Sequence, residues 1–89
     1  MPRLDTTIIN KLGLHARAAA KFVATASDFE SEIQLCKGER CANGKSIMGI
    51  MMLAASKGTE VSIDADGIDA EAALKALDNL INNRFDEAE

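Results

Sequence analysis

Leu4-Asp5-Thr6-Thr7-Ile8-Ile9-Asn10-Lys11-Leu12-Gly13-Leu14-His15-Ala16-Arg17-Ala18-Ala19 is where the chain changes its hydrophobic period. Leu4, Thr6 and Ile8 alternate with Asp5, Thr7 and Ile9, the two-residue repeat of a strand that ends near Asn10. Beyond the loop Lys11 to His15, Ala19, Phe22, Val23 and Ala26 recur at the three- and four-residue spacing of a helix over Ala16 to Ser27. One strand, one glycine-bearing loop and one helix therefore follow in immediate succession.

Working outward, the same two periods recur. Ile33 and Leu35 alternate with Glu32 and Gln34 in a second strand, and Lys37-Gly38-Glu39 suits a hairpin turn into a short third strand around Arg40 to Ala42. Asn43-Gly44-Lys45-Ser46 breaks the pattern, and Ser46 is placed to cap a short helix from Ile47 to about Leu53, with Lys57-Gly58 closing it. Val61, Ile63 and Ala65 alternate with Glu60, Ser62 and Asp64 in a fourth strand. After Gly67, Asp69 caps a last helix to about Asn83 on the stripe Ala70, Ala73, Leu74, Leu77, Leu80 and Ile81. The order is β-α-β-β-α-β-α. Strands with one polar face and helices with one apolar stripe predict an α+β two-layer, open-faced sandwich: a four-stranded antiparallel sheet with three helices on one face. At 89 residues, the length prior makes residues 1–89 one domain.

Composition restricts the chemistry. Only Phe22, Phe29 and Phe85 are aromatic, so the core is aliphatic and stacking on nucleobases lacks its equipment. A net charge of −4 argues against a broad polyanion-binding surface, so no nucleic-acid partner is expected. One histidine and two cysteines are too few for a metal centre or a disulfide framework, and neither metal nor cofactor is expected. Cys36 and Cys41 flank Lys37-Gly38-Glu39-Arg40 and can face each other across the hairpin. The N-terminal residues carry no apolar run, which predicts no signal segment and no membrane insertion. That reading places the chain in the cytoplasm, where the two cysteines are expected as reduced, partly buried thiols.

Gly13-Leu14-His15-Ala16-Arg17 puts the single imidazole where a loop enters a helix. The first N–H groups of a helix lack intrahelical partners and, with the macrodipole, favour an anion there by about 0.3–1 kcal/mol. Arg17 adds a guanidinium fork shaped for phosphate oxygens. A neutral imidazole is a competent nucleophile, so a phosphoryl group on His15 is one reading; a polar cap beside a solvated arginine is the plain alternative.

The stretch Asn10 to Ala19 resembles the G-L-H-x-R-P-A signature of HPr, the histidine-containing phosphocarrier family of the bacterial phosphotransferase system. Lys45-Ser46-Ile47-Met48-Gly49-Ile50-Met51 resembles that family's second signature, around a regulatory serine. The resemblance implies that His15 accepts a phosphoryl group at Nδ1 from phosphorylated Enzyme I, itself charged by phosphoenolpyruvate. The group then passes to Enzyme IIA domains, with Arg17 assisting; the chain is a carrier rather than an enzyme. It further implies regulatory phosphorylation of Ser46 by an HPr kinase/phosphorylase. The alternative is a regulatory binding module whose Ser46-phosphorylated form controls partner proteins. The family proline stands as Ala18 here, which leaves the helix intact, since Ala is an excellent helix former, but removes a fixed φ at its entrance. Asn10 to Gly13 and Phe85-Asp86-Glu87 are also similar to the nitrogen-related branch, NPr, whereas Lys45 to Met51 looks more like the sugar branch.

The short middle helix is too apolar for one buried stripe. Its surplus, Ile47, Met48, Met51 and Met52, together with Ala20, Lys21 and Ala24, is by resemblance the surface that docks Enzyme I and Enzyme IIA; methionine suits a face that meets several partners. Gly49 departs from the basic residue some relatives carry. A carrier that visits two partners is expected to be a monomer. The tail Asp86-Glu87-Ala88-Glu89 is expected to fray as a solvated end.

Overall fold

The computed structural model describes residues 2–87. Its elements are β1 (Arg3–Thr7), α1 (Ala16–Ser27), β2 (Glu32–Lys37), β3 (Arg40–Asn43), α2 (Ile47–Met52), β4 (Glu60–Asp66) and α3 (Ala70–Asn82), followed by a 3-10 turn at Arg84–Asp86. The strands form one antiparallel sheet in the order β1-β4-β2-β3. Leu4 and Leu35 both pair with Ile63, so three apolar side chains form one row across three strands. Ile33, Val61 and Ala65 share that face, which the helices cover; Phe22, Ile50, Leu77, Ile81 and Phe85 bury completely in the same core. The sheet and three helices make the expected open-faced sandwich.

Alternation gives the strands and the 3.6-residue stripe gives the helices, so most boundaries fall where the pattern puts them. The first strand is shorter than its alternation suggests. Ile8 leaves the ladder because its N–H donates to the Thr59 carbonyl at 2.9 Å and its carbonyl accepts from Gly58 N–H at 2.7 Å. Ser62, assigned to the polar face, is nevertheless buried, because it sits mid-sheet with Asp5 and Cys36 as its two register partners.

Two side-chain assignments need correction. Cys36 and Cys41 are direct register partners with Cα atoms 4.0 Å apart, and they form a disulfide rather than two reduced thiols. Antiparallel pairing brings opposite residues within about 4.5–5.5 Å, so a hairpin that pairs two cysteines supplies the approach a bridge needs. Cys36 alternates with the inward-facing Leu35, which puts the bridge on the face of the sheet away from the helices.

Asp69 stands at the start of α3, but its carboxylate caps nothing there. It accepts instead from the N–H groups of Glu30 and Ser31 at 2.8 and 3.0 Å and from the Ser31 hydroxyl, clamping the α1–β2 loop onto the start of α3. The Ser31 hydroxyl, followed by the Glu30 N–H, holds the Asp69 carboxyl below its ordinary 3.8. A lowered carboxylate pKa adds stability that is fully present above the unfolded value and fades as pH falls through the folded one. Asp69→Asn is therefore expected to lower the melting temperature at pH 7. Melting curves taken down a pH series below about 3.8 should show the gap to the parent closing; a constant gap would show that the carboxylate charge is not what matters.

Candidate functional site

The loop that carries His15 is laid down by backbone contacts on both sides. Leu14 N–H donates to the Ala55 carbonyl at 2.9 Å, and Gly13 N–H to the Asn10 carbonyl at 3.2 Å. Gly13 sits at φ +67°, and a Cβ there would lie 2.5 Å from the Ala55 oxygen, so this position needs both the conformational freedom and the missing side chain of glycine. Leu14 is buried, which fixes the chain just before it turns into α1.

His15 is the N-cap of α1. Its backbone is extended, its carbonyl accepts from Ala19 N–H at 2.8 Å, and its Nδ1 accepts from Arg17 N–H at 3.3 Å. The capping side chain is thus the imidazole itself, satisfying one of the helix's orphan donors. Ala18, in the place of the family proline, is completely buried in the first turn, and the helix begins at Ala16 without it. The Arg17 side chain is exposed.

The other ring nitrogen contacts the C-terminus. Nε2 lies 2.5 Å from Glu87 Oε2, with the two side chains 27% and 13% exposed. Glu87 Oε1 accepts from Asn10 Nδ2 at 3.1 Å, and the second Asn10 Nδ2 hydrogen goes to the Gly13 carbonyl at 2.8 Å. Asn10 is completely buried, and its Oδ1 finds no donor among the described residues. Burial works to raise the Glu87 carboxyl, but hydrogen bonds from Asn10 and His15 and the charges of His15 and Arg17 outweigh it and hold the group below its ordinary value. The tail is therefore not a solvated end as far as Glu87. Ala88 and Glu89 lie outside the described residues.

An unusual turn brings Glu87 back. Arg84, Phe85 and Asp86 have φ of +55°, +54° and +63°. Left-handed backbone costs non-glycine residues about 1–2 kcal/mol each and persists where surroundings fix it. Here Phe85 is completely buried, worth about 1.5–3 kcal/mol. Lys21 Nζ donates to the Phe85 carbonyl at 2.8 Å and lies 3.8 Å from Asp86. Lys21, expected on the docking face, is thus half-buried against the C-terminal turn. Sequence reading missed Glu87 and Asn10 because 77 positions separate them. The one available signal was Phe85, a scarce aromatic placed in a tail that would have no use for it if it were solvated.

Ser46 is the N-cap of α2, its Oγ accepting from Gly49 N–H at 3.1 Å. Ser46→Ala is expected to cost about 1 kcal/mol, or roughly 4–8 °C in melting temperature for a domain this size. Thermal unfolding of the variant measures it; an unchanged midpoint would mean the cap contributes nothing. Within α2, Ile50 is completely buried while Ile47, Met48, Met51 and Met52 are exposed, and α2 packs against α1, on which Ala20 and Ala24 are also exposed. Leu12, not singled out from the sequence, is a further exposed apolar residue in the His15 loop.

Fold and site define a class: an open-faced sandwich that presents a single hydrogen-bonded imidazole at the entrance of its first helix. The family described as "PTS HPr component phosphorylation site" matches residues 3–83. A phosphocarrier protein HPr from Pseudomonas aeruginosa is 56% identical over all of both chains. A phosphocarrier protein NPr from Shewanella violacea is 46% identical over 94% of this chain and 92% of its own. Among solved structures, HPr-C-His from Thermoanaerobacter tengcongensis overlays with TM-score 0.96 at 49% identity over all of both chains. An HPr dimer from the same organism overlays with TM-score 0.78 at 50% identity, over 98% of this chain and 100% of that one. The chain belongs to the HPr family of phosphocarrier proteins of the phosphotransferase system. Among the described residues, no helix is long and apolar enough to cross a membrane.

Proposed function

We propose that His15 is the residue that carries the phosphoryl group, taking it at Nδ1 from phosphorylated Enzyme I and handing it to Enzyme IIA domains. The observation that carries this reading is the position of the ring: a partly exposed imidazole whose Nδ1 caps α1 by accepting from Arg17 N–H in the first turn. In the transfer, the Nδ1 lone pair forms the new N–P bond. The bond from phosphorus to the donor breaks, its electron pair returning to the donor. The helix N-terminus and the exposed Arg17 guanidinium then face the phosphoryl oxygens, a shallow setting that holds the group without trapping it.

The exposed side chains Ala20, Ala24, Ile47, Met48, Met51 and Met52 form the docking face in this proposal, with Lys21 at its edge. Phosphorylation of Ser46 would put a charge of about −1.5 to −2 beside that face, compatible with the helix N-terminus and repulsive to an acidic partner. The whole chain acts as one carrier domain in the cytoplasm, engaging each partner as a monomer; light scattering of the purified chain reads that state against the dimeric relative. A purified relay of phosphoenolpyruvate, Enzyme I, this chain and an Enzyme IIA tests the function. Acid-labile, alkali-stable label passing through the chain to the Enzyme IIA is expected. Label that reaches it equally without the chain would overturn the proposal.

A further inference from the structure

We propose that Glu87 is a positioning residue for phosphoryl transfer: its carboxylate, held by Asn10, keeps a proton on His15 Nε2 so that Nδ1 presents its lone pair and, once phosphorylated, remains a good leaving nitrogen. The inference rests on the reading of His15 as the carrier residue and extends it to the opposite side of the ring.

Three observations point the same way. Nδ1 accepts from a backbone N–H, so it bears no proton, and Nε2 faces a carboxylate, which only accepts; one neutral tautomer satisfies both contacts. Glu87 is itself oriented, because Asn10 is completely buried and divides its two amide hydrogens between Glu87 and the Gly13 carbonyl of the His15 loop. The backbone that delivers Glu87 runs through three consecutive left-handed non-glycine residues, held by the buried Phe85 and by Lys21. A tail with no task has no reason to adopt such a path. With the two ring nitrogens exchanged, the arrangement is the counterpart of the buried acid that fixes the tautomer of a general-base imidazole in hydrolases.

The proton balance follows from the geometry. When Nδ1 donates its pair to phosphorus, the proton already on Nε2 stays there, and the ring becomes a cation facing the Glu87 carboxylate. In the onward step the N–P electron pair returns to Nδ1 and the ring is neutral again, with no proton gained or lost. Without the carboxylate, the phosphorylated ring releases its Nε2 proton more readily, and the neutral N-phosphoimidazole is a poorer leaving group. Among the described residues, Glu87 from the C-terminal turn contacts the ring and the Arg17 charge from α1 acts on the same carboxylate, while Lys21 donates to the Phe85 carbonyl 3.8 Å from Asp86, whose other carboxylate oxygen accepts from Asn83.

The experiment compares the full chain with Glu87→Gln and with Asp86→Asn, which alters tail charge without touching His15. Each is charged with phosphoenolpyruvate and Enzyme I, and the loss of the phosphoryl group is followed against pH, with ring nitrogen shifts read by 15N NMR. Glu87→Gln is expected to charge to the same extent on His15, yet to release its Nε2 proton and lose its acid lability at a pH about one unit lower. At a pH above both midpoints, its transfer to an Enzyme IIA is expected to be about tenfold slower, the factor that one such unit represents there. Asp86→Asn is expected to match the parent. Coincident pH profiles for Glu87→Gln and the parent would overturn the role of Glu87 while leaving His15 as carrier. If the parent itself takes no label, the carrier reading fails. In that case the 15N shifts of the unmodified ring decide whether Glu87 holds the Nε2 proton, and shifts unchanged by Glu87→Gln would overturn it.

Discussion

Phe22→Ala is expected to destabilise the protein by about 3–5 kcal/mol, a large part of the whole margin of about 5–15 kcal/mol that small domains possess. The size of the effect comes from the composition of α1. Its other buried residues are Ala18, Ala19 and Ala26, so Phe22 is the only large side chain that the helix buries completely. Removing the ring leaves a cavity between α1 and the sheet that three alanines cannot fill by shifting. In urea the midpoint should fall steeply with an unchanged slope, the signature of lost stability rather than of an altered unfolded state. The same change should loosen the platform under His15, so phosphoryl acceptance should decline at temperatures where the parent is still fully active. A midpoint within about 0.5 kcal/mol of the parent would show that α1 is anchored some other way.

His15→Ala is expected to have the opposite profile: no phosphoryl acceptance at all, with the fold retained. Alanine has no nucleophile, and the chain contains no second imidazole to take over. The stability change should be modest, because what is lost is one capping contact at 3.3 Å and one contact to Glu87, which keeps its hydrogen bond from Asn10. Loss of a cap is worth about 0.5–2 kcal/mol. Circular dichroism and a melting curve on the sample used for the transfer assay separate the two effects. Label retained by His15→Ala would move the carrier residue elsewhere.

These two residues also show how far the sequence carries. The α1 stripe and the loop before it are local patterns, so both the helix limits and the location of His15 at its N-cap could be read directly. The apolar surplus of α2 could be read in the same way: one buried isoleucine and four exposed residues are what a six-residue helix on one side of a sheet leaves over. What could not be read depends on register or on distance along the chain. The spacing of Cys36 and Cys41 lets them face each other across the hairpin, but their bridging depends on strand register, which pairs them directly. Asp69 has the right residue type and place for a cap, yet two N–H groups from the α1–β2 loop compete for its carboxylate and win. By composition Glu87 belongs to a charged tail, Asp86 to Glu89, of the kind expected to stay solvated. Its partner is 72 residues away, and only the burial of Phe85 and the left-handed turn around it bring the two together.

The central claim is chemical and local: one phosphoryl group, on one nitrogen of one residue. Charging the chain with phosphoenolpyruvate and Enzyme I, then recording its 31P and 15N spectra, tests it most directly. One equivalent of phosphorus bonded to His15 Nδ1 is expected, with the proton on Nε2 opposite Glu87. Phosphorus on Nε2, on Ser46 or on any other side chain under those conditions would contradict it.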